Sequence, residues 1–332
     1  MSMSDDYRQL REAAVCAETS SRGLIAVSGK DRADYLQGLL TNDIKALQAG
    51  SGCYAAWLSP QGRMTADMHV LESGDMMLLD VPAGLVASLL ARFDQLIFSE
   101  DVALADLSAE LTPIGVHGPA AAHLLERVLG LEPGLATWPV YRHVRAAHGD
   151  APVVVVRMDQ LGVPGFTVYV AAQAAAGLRE ALAGAGATTV EAQAVTAARI
   201  EAGYPVFGAE LTEDIIPLEA GVEARAISFS KGCYVGQEVI IRVLHRGHGR
   251  VVRKLVGLTV AGDGPAAPGA VVRAAGRDIG FVTSAAVSPV RGAIALAYVH
   301  RDFLEPGTAV EVADDGVVRL ATVVALPMLP VA

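Results

Sequence analysis

Ile114-Gly115-Val116-His117-Gly118 decides how this chain is read, because it restates Ile25-Ala26-Val27-Ser28-Gly29. The echo runs on at one constant offset: Ala122, Leu124 and Leu125 answer Ala33, Tyr35 and Leu36. Each copy is a short apolar run, a glycine, then apolar residues at helical spacing, the pattern of a buried strand turning into an amphipathic helix. Two α+β halves of similar build follow from such a duplication. Strand-glycine-helix is also a common unit, so an accidental echo is the competing reading. Two halves facing each other would leave a cleft between domains, where ligand sites preferentially lie.

Outward from the first copy, strands are expected over residues 53–59 and 64–72, joined at Pro60-Gln61-Gly62, and over 76–81. A helix over 84–97 and a strand near 102–107 complete that half, residues 1–110. The second half, 111–249, has strands expected over 140–146, 153–158 and 166–171, and helices over 174–183 and 191–201. From Tyr204 to Val222 the chain reads as an ordered acidic loop with apolar content. Beyond residue 250 short alternating runs separated by Gly, Pro and Asp turns predict a small all-β barrel or sandwich.

At 332 residues two or three domains are expected. The longest aliphatic run, residues 153–156, is far below the ~18 a membrane span needs, and the start Met1-Ser2-Met3-Ser4-Asp5-Asp6 is unlike a secretion signal. A cytoplasmic protein without a membrane partner is expected. Cys16, Cys53 and Cys233 fit neither a disulfide framework nor zinc-site spacing. A net charge of −10 argues against a protein that coats nucleic acid.

Lys231-Gly232-Cys233-Tyr234-Val235-Gly236-Gln237-Glu238 sets a thiol two residues from an ammonium, between glycines. A cationic neighbour lowers a cysteine's pKa from ~8.5, in strong cases to ~3.5–7.5. One reading is therefore a reactive sulfur on a tight loop. The other is a small buried hydrophobe beside Tyr234 and Val235. Gln237 and Glu238 read as caps of the next element. Downstream, residues 242–254 hold five Lys/Arg and two His. They are either a twisted strand whose cations pair with the acidic loop or an anion site for a polyglutamate tail, a phosphate or RNA.

Several stretches together resemble the glycine-cleavage T-protein superfamily of tetrahydrofolate-dependent proteins. They include Tyr35-Leu36-Gln37-Gly38-Leu39-Leu40-Thr41-Asn42-Asp43, Arg199-Ile200-Glu201-Ala202-Gly203, Pro217-Leu218-Glu219-Ala220-Gly221 and Gly280-Phe281-Val282-Thr283-Ser284. The Lys231–Glu238 octet looks like the signature of the YgfZ branch, folate-binding proteins linked to iron–sulfur cluster assembly or repair and to tRNA modification. The resemblance implies two α+β halves and a C-terminal β-barrel around a central channel that holds tetrahydrofolate or a one-carbon derivative. It implies Glu201 as the carboxylate holding the pterin edge, and Asp67 as the catalytic aspartate. Many T-proteins carry Asp-Asp where this chain has Ala66-Asp67. Asn42 and Asp43 are expected in the channel wall, with Arg199 and Tyr234 as further folate contacts. Cys233, activated by Lys231, is expected to open onto the hollow that Glu201 lines, and to engage a cluster, a persulfide or a redox partner in passing.

The leading expectation is a folate-binding accessory protein for iron–sulfur enzymes or assembly proteins, with a tRNA-modifying enzyme among its beneficiaries. The alternatives are a folate-dependent aminomethyltransferase or demethylase, and a tRNA-binding module working through residues 242–254.

Overall fold

The computed structural model describes residues 2–18, 22–245 and 249–330. Arg246 and His248 of the basic stretch lie outside the described residues.

The chain opens with α1 (Met3–Glu12) and β1 (Val15–Glu18). The first repeat then runs β2 (Arg22–Ser28), α2 (Arg32–Leu39), β3 (Ser51–Leu58), β4 (Met64–Glu72), β5 (Met76–Pro82), α3 (Val86–Asp94) and β6 (Ala103–Asp106). The second repeats it as β7 (Leu111–His117), α4 (Ala121–Leu129), β8 (His143–His148), β9 (Ala151–Arg157), β10 (Gly165–Ala171), α5 (Ala175–Gly184) and β11 (Thr188–Thr189). After α6 (Ala192–Ala202) come three shorter helices, α7 (Pro217–Ala220), α8 (Glu223–Ala226) and α9 (Gln237–His245).

The two quoted pentapeptides end β2 and β7, and the glycine after each is required. Gly29 (φ +97°) and Gly118 (φ +113°) lie in the left-handed region. A Cβ on Gly29 would stand 2.0 Å from the Asp101 carbonyl, and one on Gly118 2.2 Å from that of Ala13. Only glycine tolerates both the angle and the approach.

Those carbonyls reveal what the repeat alone does not. The first sheet has strand order β3-β4-β5-β2-β6 and the second β11-β1-β7-β10-β9-β8. β6, which precedes the second repeat, pairs antiparallel with β2 of the first. β1, which precedes the first repeat, pairs antiparallel with β7 of the second. Each half thus lends its leading strand to the other. The reading that put residues 1–110 in the first half differs here: β1 joins the second sheet, and α1 lies against α6.

Period-two alternation then sorts the side chains. On β4, Ala66, Met68 and Val70 join the core under α2 and α3, while Leu71 turns to the other face. That face meets its counterpart in the second half through Leu24, Ala26, Leu78, Val156, Met158 and Tyr169. Asp67 and His69 share its parity, so β4 sends two polar groups between the halves.

The rest is β12 (Arg253–Val260), β13 (Val271–Ala274), β14 (Arg277–Ser288), β15 (Gly292–His300), β16 (Ala309–Asp314) and β17 (Val317–Val324), a closed six-stranded barrel. The acidic loop is ordered because Leu211, Ile215 and Leu218 bury themselves between Tyr54, Leu58 and Met64 of the first half and Leu255, Leu296 and Tyr298 of the barrel. The basic stretch is not a continuous strand. Arg242 and His245 end α9, and Arg253 opens β12 with its guanidinium on Glu219 (3.3 Å) and the Asp214 carbonyl (2.9 Å). The cation therefore pairs with the acidic loop.

Candidate functional site

A polar cluster is enclosed where the sheets meet. Asp67, His69 and Asp80 are each buried. Arg22 joins the two carboxylates: its Nη1 donates to both oxygens of Asp67 (3.2 and 3.3 Å) and its Nε to Asp80 Oδ1 (2.5 Å). Tyr54 donates to Asp67 Oδ2 at 3.2 Å, and the Tyr169 hydroxyl donates to Asp80. Burial pushes the Asp80 carboxyl up, but Arg22, His69 and Tyr169 outweigh it and hold the group well below the usual range. His69 bridges outward, with Nδ1 3.4 Å from Asp80 and Nε2 3.2 Å from the Tyr204 hydroxyl.

Arg225 of α8 lies over this cluster, its Cζ 4.7 Å from the Tyr54 ring centre and 4.1 Å from that of Tyr204. Its backbone is fixed from the first half: Asn42 Nδ2 donates to the Arg225 carbonyl (3.0 Å) and to that of Tyr54 (2.8 Å). Thr41 Oγ1 donates to the Ala226 carbonyl at 2.6 Å. Asn42 thus stands in the site wall, with Asp43 beside it accepting from Gln37 Nε2 at 3.0 Å.

Lys231 belongs to the same wall. Its ammonium donates to the carbonyls of Gln37 (2.6 Å), Leu40 (2.6 Å) and Asn42 (3.0 Å), closing the C-terminal end of α2. Partial burial lowers its pKa to about 8, against the pull of Asp43 and Cys53. Lys231 thus spends its hydrogen bonds on α2 rather than on the neighbouring Cys233. All three ammonium hydrogens go to carbonyls, and the thiol that feels the charge is Cys53, which burial nonetheless pushes up to about 12. Cys233 itself is exposed. Tyr234 is buried in the core that links the first half to the barrel, its ring 5.3 Å from the Lys231 ammonium, so its side chain serves packing.

The glycines of the octet differ. A Cβ on Gly232 would meet open space. Gly236 has φ +83°, and a Cβ there would stand 2.5 Å from the Ser59 carbonyl. Gly62, φ +74°, leans back on Val239 at 2.9 Å. The octet and the Pro60-Gln61-Gly62 turn therefore interlock through two glycines, and Gln237 and Glu238 begin α9.

Glu201 is wholly buried, and its Oε2 accepts from Tyr7 (2.6 Å) and Arg11 (2.7 Å) of α1. Oε1 is buried without a hydrogen-bond partner. The hydrogen-bond partners of the Glu201 carboxylate come from α1, and Cys233 is an exposed residue. Arg199 is also a structural tie, donating to the Tyr204 carbonyl (2.8 Å), Glu210 (3.1 Å) and Ser284 (2.9 Å), which joins α6 to β14. The structure brings together Asp67, Asn42, Asp43 and Lys231. It adds Arg22, Asp80, His69, Tyr54, Tyr204 and Arg225, which the motifs did not single out. Of these, His69 was within reach, since it follows Asp67 by two on the same strand.

Two repeated sheets, facing each other around charged groups and capped by a barrel, define a class of protein. A family model described as the GCVT N-terminal domain matches residues 1–231, and one described as the glycine cleavage T-protein C-terminal barrel domain matches residues 253–329. The chain belongs to the glycine-cleavage T-protein family. Among its relatives, an aminomethyltransferase of Moorella thermoacetica is 32% identical over 98% of this chain and 89% of its own length. One of Geobacillus kaustophilus is 30% identical over 98% of this chain and 90% of its own. The crystal structure of glycine cleavage system aminomethyltransferase T from Bartonella henselae shares the fold, with a TM-score of 0.88 at 24% identity over 99% of this chain and 90% of that one. Among the described residues no helix is long and apolar enough to cross a membrane, and no cluster of His, Cys, Asp and Glu could hold a metal ion.

Proposed function

We propose that this protein binds tetrahydrofolate between its two halves and works as a folate-dependent one-carbon transferase of the aminomethyltransferase type. The observation that carries the reading is the convergence of Asp67, Tyr54 and Arg22 beneath Arg225 and Tyr204. Bound tetrahydrofolate would supply the nitrogens that accept the one-carbon unit. The residues suit such a ligand. Glu201 keeps one buried oxygen free for an N–H donor. Arg22 and Tyr54 hold the Asp67 carboxylate in one orientation, as a group that must receive or relay a proton at a fixed point requires. Relatives that carry the name aminomethyltransferase support this reading over the accessory role.

Calorimetry with 5-formyltetrahydrofolate tests the ligand, and turnover with the aminomethyl-carrying protein of glycine cleavage tests the reaction. Asp67→Asn should keep folate binding within a few-fold and abolish turnover. Wild-type protein that binds no folate refutes the proposal.

A second reading rests on Cys233. Its exposure at the head of the octet favours the YgfZ-type role, in which folate binding supports iron–sulfur enzymes through a passing thiol contact. One thiolate cannot hold a cluster alone, since clusters take several ligands. Failure of Cys233→Ala to restore cluster-dependent enzymes in a deletion strain, with turnover on the carrier protein absent, would select this role.

A further inference from the structure

Among the described residues, every other buried or half-buried arginine has a carboxylate within salt-bridge distance. Arg11 has Glu201, Arg22 has Asp67 and Asp80, Arg32 has Glu72, Arg157 has Asp159 and Arg199 has Glu210. Towards and in the barrel, Arg253, Arg273 and Arg319 have Glu219, Asp278 and Asp314. Arg225 has none. Its Nη2 is buried without a hydrogen-bond partner, its Cζ lies over the rings of Tyr54 and Tyr204, and the Asp67 carboxylate acts on it only from beyond salt-bridge distance. Aromatic faces attract a cation but accept none of its in-plane hydrogens. A buried cation is ordinarily retained only when paired. A guanidinium carries a planar N–H fork, which can meet a carboxylate with two parallel bonds.

The backbone of α8 holds this unpaired cation in place. Asn42 and Thr41 fix the backbone of Arg225 and Ala226 from the first half, so the side chain starts from an anchored base. The ring of Tyr54 faces Arg225 while its hydroxyl reaches Asp67. One tyrosine thus spans from the unpaired cation to the proposed catalytic carboxylate.

We propose that Arg225 is the specificity residue of the cleft, the group that takes the carboxylate of the bound ligand. The inference rests on the folate reading for where that ligand lies. Two carboxylates have the right chemistry: the glutamate of the folate itself, and that of a small amino acid whose nitrogen would face Asp67. Lysine cannot replace the residue fully, because an ammonium does not offer the fork.

The test compares wild type, Arg225→Gln and Arg225→Lys by calorimetry, with melting temperatures confirming that each folds. The probes are 5-formyltetrahydrofolate against 5-formyltetrahydropteroate, which lacks the glutamate, and sarcosine against sarcosinamide, titrated with and without folate. A loss of ~10-fold or more on Arg225→Gln for 5-formyltetrahydrofolate, but not for the pteroate, assigns the residue to the folate tail. The same loss for sarcosine, with sarcosinamide bound no better by wild type, assigns it to a co-substrate. Equal losses for a carboxylate and its neutral counterpart, or no loss for either, overturn the proposal. So does wild-type protein that prefers neither carboxylate. Absence of folate binding by wild type overturns the folate reading alone, since the sarcosine pair still reports on Arg225.

Discussion

Replacing Arg22 by leucine should cost the protein more stability than any other single change in the cleft. Arg22 is the cation shared by two carboxylates whose side chains are each 4% exposed, while its own is 19% exposed. Removing one partner of a buried pair costs about 3–5 kcal/mol, because the other charge is left desolvated. The partial exposure of Arg22 places this case toward the lower end, about 3–4 kcal/mol. At roughly 2–4 °C per kcal/mol for a larger chain, the melting temperature should fall by roughly 6–15 °C at pH 7. The pH dependence carries the sharper signature. In the native protein Asp80 is held below its unfolded value, so its contribution is present above ~3.9 and lost as pH falls through the folded value. In Arg22→Leu the Asp80 carboxyl loses its strongest opposing charge, and burial pushes its pKa up. Its penalty is then full at neutral pH and shrinks as pH falls toward 4. Calorimetric melts of both proteins between pH 4 and 8 should therefore converge at the acid end. A difference below 2 °C at pH 7, or one that grows on acidification, would refute the account of Arg22 as the clamp.

Other outcomes follow from single contacts. Gly236→Ala forces a side chain into the left-handed region and toward the Ser59 carbonyl at 2.5 Å, so it should destabilise by about 1–3 kcal/mol, read in urea melts. The ammonium of Lys231 should titrate near 8, followed by NMR of reductively methylated protein, and a midpoint at the ordinary 10.5 would disprove its burial among carbonyls. Since its folded pKa is lowered, that lysine opposes folding at neutral pH and ceases to as pH climbs from 8 toward 10.5. Iodoacetamide at pH 8 should modify Cys233 alone in the native protein, because burial raises Cys16 to about 11 and Cys53 to about 12. Rapid labelling of Cys53 would contradict that.

The repeat was legible because hydrophobic alternation and two glycines under the same steric demand write themselves into sequence. The barrel was legible for a similar reason, its short strands being punctuated by turn residues. What stayed hidden was pairing between distant segments. Nothing in Val15–Glu18 says that it will lie between β11 and β7 rather than on β2, since a short buried strand carries the same pattern wherever it docks. The site was half visible. Asp67, Asn42 and Asp43 came through the family resemblance, whereas Arg225 and Tyr204 sit on loop-like stretches without periodicity and are joined only by folding. The octet misled over Lys231 because closeness in sequence to Cys233 says little about where a long side chain spends its charge.

The exchange of leading strands has a bearing on how anything gets in. β1 and β2, neighbours in sequence, lie in opposite walls, and so do β6 and β7, so the chain joins the two walls twice. Swinging the lobes apart would pull on both connections and uncover Leu24, Ala26, Leu78, Val156, Met158 and Tyr169. Admitting a ligand between the walls therefore competes with the apolar contact that closes them.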